Sequence, residues 1–283
     1  MSDFPTTFTA GLSIEGLELT LGRGTRARRI LKGVSLEVPA GSITGLAGES
    51  GSGKTLTGMS VLGLQPPGAV MGGRIIYAGE DLLTLPEKRL NALRGNEISM
   101  IFQDPTSALQ PMLGIEEQLT DHYRHHVRAP RSKARARAEE LLERVHVPDP
   151  AGALRKYPHQ FSGGQLQRIA IASALMCEPS VLVADEPTTA LDVTVQAGIL
   201  HLLRELCDDL DLGVLLVTHD LGVMSALADH VVVLRDGSVV EQGEREQVIC
   251  SPRSDYTREL IEALPSARMD RAETGEGAEP DHG

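Results

Sequence analysis

No run in this 283-residue chain approaches the roughly 18 uninterrupted apolar residues that a membrane-spanning helix needs. Its first residues, Met1-Ser2-Asp3-Phe4-Pro5, lack the basic stretch and apolar core of a secretory leader, so a cytosolic chain is expected. Cysteine is scarce. Cys177, Cys207 and Cys250 fall at no metal-ligand spacing, and an odd, sparse set does not make a disulfide framework. Positive charge is in deficit too: 39 acidic against 27 basic residues leave a formal net charge of −12. The surface as a whole therefore does not attract nucleic acid or anionic lipid, and only a local basic patch would.

What is present is ordinary globular material. Hydrophobic residues make up 41% and charged ones 23%, which excludes a wholly disordered chain, and the length is ample for a sizeable core. One domain is expected over residues 11–265, with no internal repeat. Residues 266–283 carry five acidic residues, two arginines and no large apolar residue except Met269. That composition cannot bury enough surface to order itself, so a disordered acidic tail is expected.

The opening reads as strands: Leu12–Ile14, Leu17–Leu21 and Val34–Val38 alternate, and 42–47 runs into a glycine-rich loop. From Glu87 to Pro158 the texture is helical, and a helical subdomain is expected over about 87–180. Ser132 fits an N-cap, with Ala138, Leu141, Leu142 and Val145 spaced as a buried helix face. Val181–Ala184 and Val214–Val217 are unbroken apolar runs between helices, the mark of a parallel sheet covered on both sides. Near the end Asp236-Gly237 joins two apolar runs as a hairpin turn. The fold class expected is α/β, with antiparallel strands and an inserted helical segment.

Gly48-Glu49-Ser50-Gly51-Ser52-Gly53-Lys54-Thr55 fits GxxxxGK[ST] between a strand and a helix carrying Leu56, Met59 and Leu62. Glycines let the backbone wrap a phosphate chain with its N–H groups turned inward, and the helix N-terminus adds partial positive charge. Lys54 is placed to reach the β- and γ-phosphates and Thr55 to ligate Mg²⁺. A ligand-free glycine turn is the bland alternative; the strand–loop–helix context weighs against it. The strand Val181–Ala184 then ends in Asp185 and Glu186, whose carboxylates face the same crevice at the C-terminal end of a parallel strand. Asp185 suits Mg²⁺ and Glu186 the attacking water.

With Phe161-Ser162-Gly163-Gly164-Gln165 added, the chain resembles the ATP-binding cassette (ABC) ATPases, whose core is a P-loop NTPase fold. The resemblance makes Gln103 the Q-loop glutamine, near Mg²⁺ and water, 189–192 the D-loop and His219 the switch histidine. It implies ATP and Mg²⁺ as ligands, with Ser162, Gly163, Gly164 and Gln165 contacting the ATP of a second subunit. Ser162-Gly163-Gly164 also opens a helix, whose free N–H groups make an anion site on physical grounds alone. Residues 102–111, Tyr157-Pro158-His159, 185–192 and 256–260 are similar to the oligopeptide/dipeptide/nickel importer ATPases. That family implies two permease subunits, a second ATPase, identical or paralogous, and an external binding protein. It implies work on peptides or a solute such as nickel, at the cytoplasmic face of the membrane, with no nucleic acid. A coupling helix of the permease would dock just after Gln103.

Two departures stand out. Many peptide-importing members carry a cysteine cluster after the Tyr-Thr-Arg segment; this chain has no cysteine after Cys250, so an iron–sulfur centre is not expected. Leu21 stands where an aromatic residue usually stacks on adenine.

His122, His125 and His126 could form a two- or three-nitrogen metal site, but a solvated helical face is the stronger reading. Arg124, Arg128, Arg131, Lys133, Arg135 and Arg137 likewise read as a solvated helix, with attraction to an anionic membrane second. Non-transport ABC ATPases of DNA repair usually carry a long coiled coil between phosphate loop and signature, and translation-associated ones usually two cassettes. Neither feature is here. A module that holds nucleotide without turnover sits poorly with Lys54, Asp185, Glu186 and His219 all in place.

Overall fold

The strands and helices follow from the apolar pattern. In the computed structural model, which describes residues 11–263 other than Arg23 and Ala190, the chain opens with β1 (Leu12–Leu21) and β2 (Arg28–Val38). Next come β3 (Ile43–Ala47), α1 (Lys54–Val61), β4 (Val70–Tyr77) and β5 (Glu80–Asp81). After α2 (Glu87–Leu93) and β6 (Ile98–Ile101) the helices α3 (Pro105–Ala108), α4 (Ile115–Val127), α5 (Arg131–Arg144), α6 (Pro150–Ala153) and α7 (Gly163–Ala174) follow. The last part alternates: β7 (Val181–Asp185), α8 (Val193–Leu210), β8 (Gly213–Val217), α9 (Leu221–Leu227), β9 (His230–Arg235), β10 (Ser238–Glu244), α10 (Arg245–Cys250) and α11 (Asp255–Glu262). The acidic segment 266–283 lies outside the described residues.

Among the described residues the strands form two sheets. One is antiparallel, ordered β2-β1-β4-β5; the other is ordered β10-β9-β3-β8-β7-β6 and is parallel except for β10. The second explains the unbroken apolar runs. Val181, Val183, Leu215, Val217 and Leu46 enter the core shared with the antiparallel sheet and α1. Their neighbours Leu182, Ala184, Val214, Leu216 and Ala47 enter the core under α7, α8 and α9. Successive residues of a strand point to opposite faces, so a strand covered twice must be apolar throughout.

The structure departs from the sequence reading in three places. β6 lies inside the stretch read as helical from Glu87 and pairs with β7 from Ile98↔Val181 to Ile101↔Ala184. The cap of α5 is Pro130, and Ser132 sits inside the first turn; the face Ala138, Leu141 and Leu142 is buried as expected. In α1 the buried positions are Lys54, Thr57, Gly58, Ser60 and Val61, followed by the buried Leu62, while Leu56 and Met59 are only half-buried, because Gly58 runs against β7 and β8. A Cβ on Gly58 would lie 2.9 Å from Val183 Cγ1. The hairpin at Asp236-Gly237 forms as expected, both residues having positive φ.

Candidate nucleotide site

The phosphate loop leaves the C-terminal end of β3, central in the sheet, and enters α1. Two of its glycines are required by shape. Gly53 caps α1 at φ 108°, where a Cβ would come 2.6 Å from Leu31 Cδ2, and Gly48 (φ 144°) would drive one into the Leu234 carbonyl oxygen. Lys54 is 5% exposed, and its Nζ donates to the Gly48 and Glu49 carbonyl oxygens at 2.7 and 2.9 Å. Burial lowers its pKa from the ordinary lysine value, against the opposing charges of Glu186, Asp185 and Glu49.

At the end of β7 the two carboxylates have opposite environments. Asp185 is 3% exposed and burial raises its pKa above the usual value, opposed by the hydrogen bond from Thr55 Oγ1 at 3.1 Å. Two hard oxygen donors therefore meet beside the loop, the type of ligand that a small divalent cation such as Mg²⁺ takes. Glu186 follows at φ 45°, its N–H bonded to the Val217 carbonyl at 2.8 Å. Its carboxylate gathers His219 Nδ1 at 2.9 Å, Gln103 Nε2 at 3.0 Å and Thr189 Oγ1 at 2.8 Å. Burial pushes its pKa up, but the hydrogen bonds from His219 and Thr189 and the charges of His219 and Lys54 outweigh that and hold it below the ordinary value. An ionised carboxylate gathered by three polar side chains beside a lysine-bearing loop can orient a water and accept its proton.

Ser162, Gly163, Gly164 and Gln165 stand apart from this cluster, at the start of α7. Ser162 caps the helix: its Oγ accepts the Gln165 N–H at 3.4 Å, and Gln165 Oε1 accepts the Ser162 N–H at 3.0 Å. Ser162 and Gly163 are exposed. Gly164 has a packing reason as well, since a Cβ there would lie 2.6 Å from Val195 Cγ1 of α8.

Residues 31–189 match the ABC transporter family. The chain belongs to that family. It is 42% identical over 274 residues to the dipeptide transport ATP-binding protein DppD of Bacillus subtilis, covering 95% of this chain and 82% of that one. Against the oligopeptide transport ATP-binding protein OppD of the same organism it is 42% identical, over 83% of this chain and 66% of the other. Among solved structures it resembles the dimeric ATP-binding cassette MJ0796 in a post-hydrolysis state bound to ADP and Pi. The TM-score is 0.73 at 28% identity, covering 83% of this chain and 98% of that one. The α/β fold expected from the apolar runs is thus that of an ABC ATPase.

Within this ABC cassette the secondary sequence readings fare unevenly. The basic run is largely spent on internal pairs: Arg124 on Asp121, Arg131 and Arg135 on Glu116, and Arg137 on Glu140 and Glu178. His125 is exposed, but His122 turns inward with Nε2 3.4 Å from Cys177 Sγ, so the histidines are not one solvated face. No cluster of three or more metal-ligating His, Cys, Asp or Glu occurs among the described residues. Leu21 ends β1 opposite Arg28, half-buried.

Two contacts escaped the sequence reading. Thr189 donates to Glu186, and Tyr256 of α11 reaches the phosphate loop. Tyr256 was legible only as part of an importer-like segment; nothing local to it points to residue 49.

Proposed function

We propose that this chain is the ATP-hydrolysing subunit of a binding-protein-dependent importer, most consistent with peptides as cargo. The observation that carries the ATPase part is the gathering of His219, Gln103 and Thr189 around Glu186 at 2.8–3.0 Å, beside a phosphate loop with Lys54 buried in it. The cargo reading is supported by relatives whose names specify dipeptide and oligopeptide transport.

In this reading, residues 48–55 wrap the phosphates with backbone N–H groups, and Lys54 turns from the Gly48 and Glu49 carbonyls to the β- and γ-phosphates. Thr55 and Asp185 would hold Mg²⁺, which supplies neutralising charge to the phosphates. Gln103 is a further candidate ligand; here its amide donates to Glu186, so that role would need it to turn away. Glu186 accepts the proton of the attacking water as its oxygen bonds to the γ-phosphorus and the bond to ADP breaks. His219 orients both carboxylate and water.

Ser162, Gly163, Gly164 and Gln165 serve a second cassette's nucleotide. The exposure of Ser162 and Gly163, and Val193 beside the D-loop at 82% exposed, suit a face that pairs with another subunit. Near Gln103, Phe102, Leu113 and Met112 (83% exposed) offer an apolar seat for a permease coupling helix. The subunit works peripherally, at the cytoplasmic face, with two permeases and an external binding protein.

Uptake of labelled di- and tripeptides, and of nickel, in cells carrying this chain with its genomic neighbours tests the reading. Peptide uptake abolished by Glu186→Gln is the expected result. Uptake of neither solute, with hydrolysis intact, would overturn the cargo assignment.

A further inference from the structure

The closing helix of the fold holds the phosphate loop from outside. Tyr256, in the first turn of α11, is 5% exposed, and its hydroxyl accepts the Glu49 N–H at 3.2 Å. That N–H belongs to the same peptide unit as the Gly48 carbonyl, which accepts Lys54 Nζ at 2.7 Å. In a trans peptide the N–H and C=O point in opposite directions. The 48–49 peptide is therefore pinned at both ends, by Tyr256 on one side and by Lys54 on the other. Rotating it would break both bonds.

The phenol is itself fixed. The Arg235 guanidinium lies over its ring, 4.6 Å from the centroid. The Glu241 carboxylate accepts the Arg253 and Ser254 N–H groups at 2.7 and 3.1 Å, which sets where α11 begins. Lys54 must leave the Gly48 carbonyl to reach a phosphate, and once it does, Tyr256 is the remaining side chain on that peptide.

We infer that Tyr256 is a positioning residue for nucleotide binding, its hydroxyl holding the 48–49 peptide so that the phosphate loop stays in the shape that receives ATP. The inference rests on the nucleotide site proposed above. Without the hydroxyl, Lys54 alone ties that peptide in the empty loop, so the rotated peptide is sampled more often and binding must first reverse it. Apparent affinity falls by the fraction competent, while turnover of the loaded site is untouched.

Tyr256→Phe in the full-length chain removes one oxygen and keeps the ring under Arg235. MgATP titration should show binding weakened roughly two- to tenfold, the size of one neutral hydrogen bond at about 0.5–1.5 kcal/mol. With permeases present, KM should rise by the same factor at unchanged kcat, and amide exchange at Glu49 should quicken. Tyr256→Leu should add a lowered unfolding temperature. Wild-type affinity and wild-type Glu49 exchange in Tyr256→Phe would overturn the inference and reduce Tyr256 to core packing. So would a loss confined to kcat. Failure of the unaltered chain to bind MgATP would instead sink the nucleotide reading itself.

Discussion

The phosphate loop and the signature segment of this cassette are built on opposite plans. The phosphate loop is half sunk in the fold, with Gly48, Ser52, Gly53 and Lys54 buried and Glu49, Ser50, Gly51 and Thr55 exposed, and it is held from several elements. Its Ser52 carbonyl accepts the Gly237 N–H at 3.0 Å, its Glu49 N–H goes to α11, and its lysine is tied to its own carbonyls. The signature end is a helix start at the surface that caps itself, Ser162 with Gln165. One end is preorganised by the rest of the chain. The other has packing behind it, through Gly164 against Val195, and leaves Ser162 and Gly163 exposed. Under the proposed function the loop would grip a nucleotide alone, and the signature would meet one held by another subunit.

The sharpest way to break that contrast is to remove chemistry from the buried end. Glu186→Gln keeps shape and MgATP binding but removes the proton acceptor, and should lower hydrolysis by roughly 10²–10⁴-fold while favouring the closed dimer. Steady-state phosphate release with permeases present measures it; near-normal release would remove Glu186 from its role. Lys54→Ala should differ in kind, weakening binding itself, and a nucleotide titration separates the two effects.

At the surface end the effect should appear only in pairs. Ser162→Ala should leave MgATP binding to the isolated subunit within about twofold, since its hydroxyl serves its own helix cap. Hydrolysis by the assembled pair should fall about tenfold or more. Equal loss of binding in the isolated subunit would mean that the signature serves its own chain's nucleotide.

Much of this contrast was legible in the sequence, for a physical reason. A strand buried on both faces must be apolar at every position, so β7 and β8 announced a covered parallel sheet, and a loop that wraps phosphate needs glycines at Gly48 and Gly53. β6 was hidden because four residues, Ile98 to Ile101, carry too little pattern between α2 and α3. Ser132 misled because a serine also tolerates the first turn, where Pro130 already sets the helix start. Tyr256 and Glu49 are 207 positions apart, and only the packing of α11 against β9 and the loop joins them.

A third effect concerns pH and the two adjacent carboxylates. Asp185 is held above its ordinary pKa and Glu186 below. Acidification from neutrality should thus protonate Asp185 at a higher pH in the folded, nucleotide-free protein than in the unfolded chain. The fold takes up that proton before the unfolded chain does, so this group adds stability as pH falls. Glu186 acts with the opposite sign: its stabilisation is present above the ordinary glutamate value and is lost as pH falls through its depressed one. Asp185→Asn should accordingly raise the unfolding temperature of the empty protein at neutral pH while weakening MgATP binding. Thermal melts with and without MgATP between pH 4 and 8 check both; a lowered melting temperature for the empty variant would contradict the buried-charge argument.

The smallest effect bears on the base, away from either phosphate end. Leu21 closes β1 opposite Arg28 and is half-buried against the core that holds Leu31 and Leu234. Part of its surface is thus committed to packing, and what remains can cover a purine by dispersion without the stacking that an aromatic ring adds, about 0.5–1.5 kcal/mol. The phosphates keep all their contacts, so binding survives and discrimination between ATP and GTP should be loose. Leu21→Tyr should tighten ATP by up to roughly tenfold, one decade being about 1.4 kcal/mol. The gain stays below that limit if the larger ring cannot pack where Leu21 now sits, because overfilling a core site has its own cost. Parallel titrations of both proteins with both nucleotides decide it. If the wild type already rejects GTP strongly and Leu21→Tyr leaves ATP affinity unchanged, the end of β1 does not meet the base, and the contrast between the ends of the site is one of phosphate contacts alone.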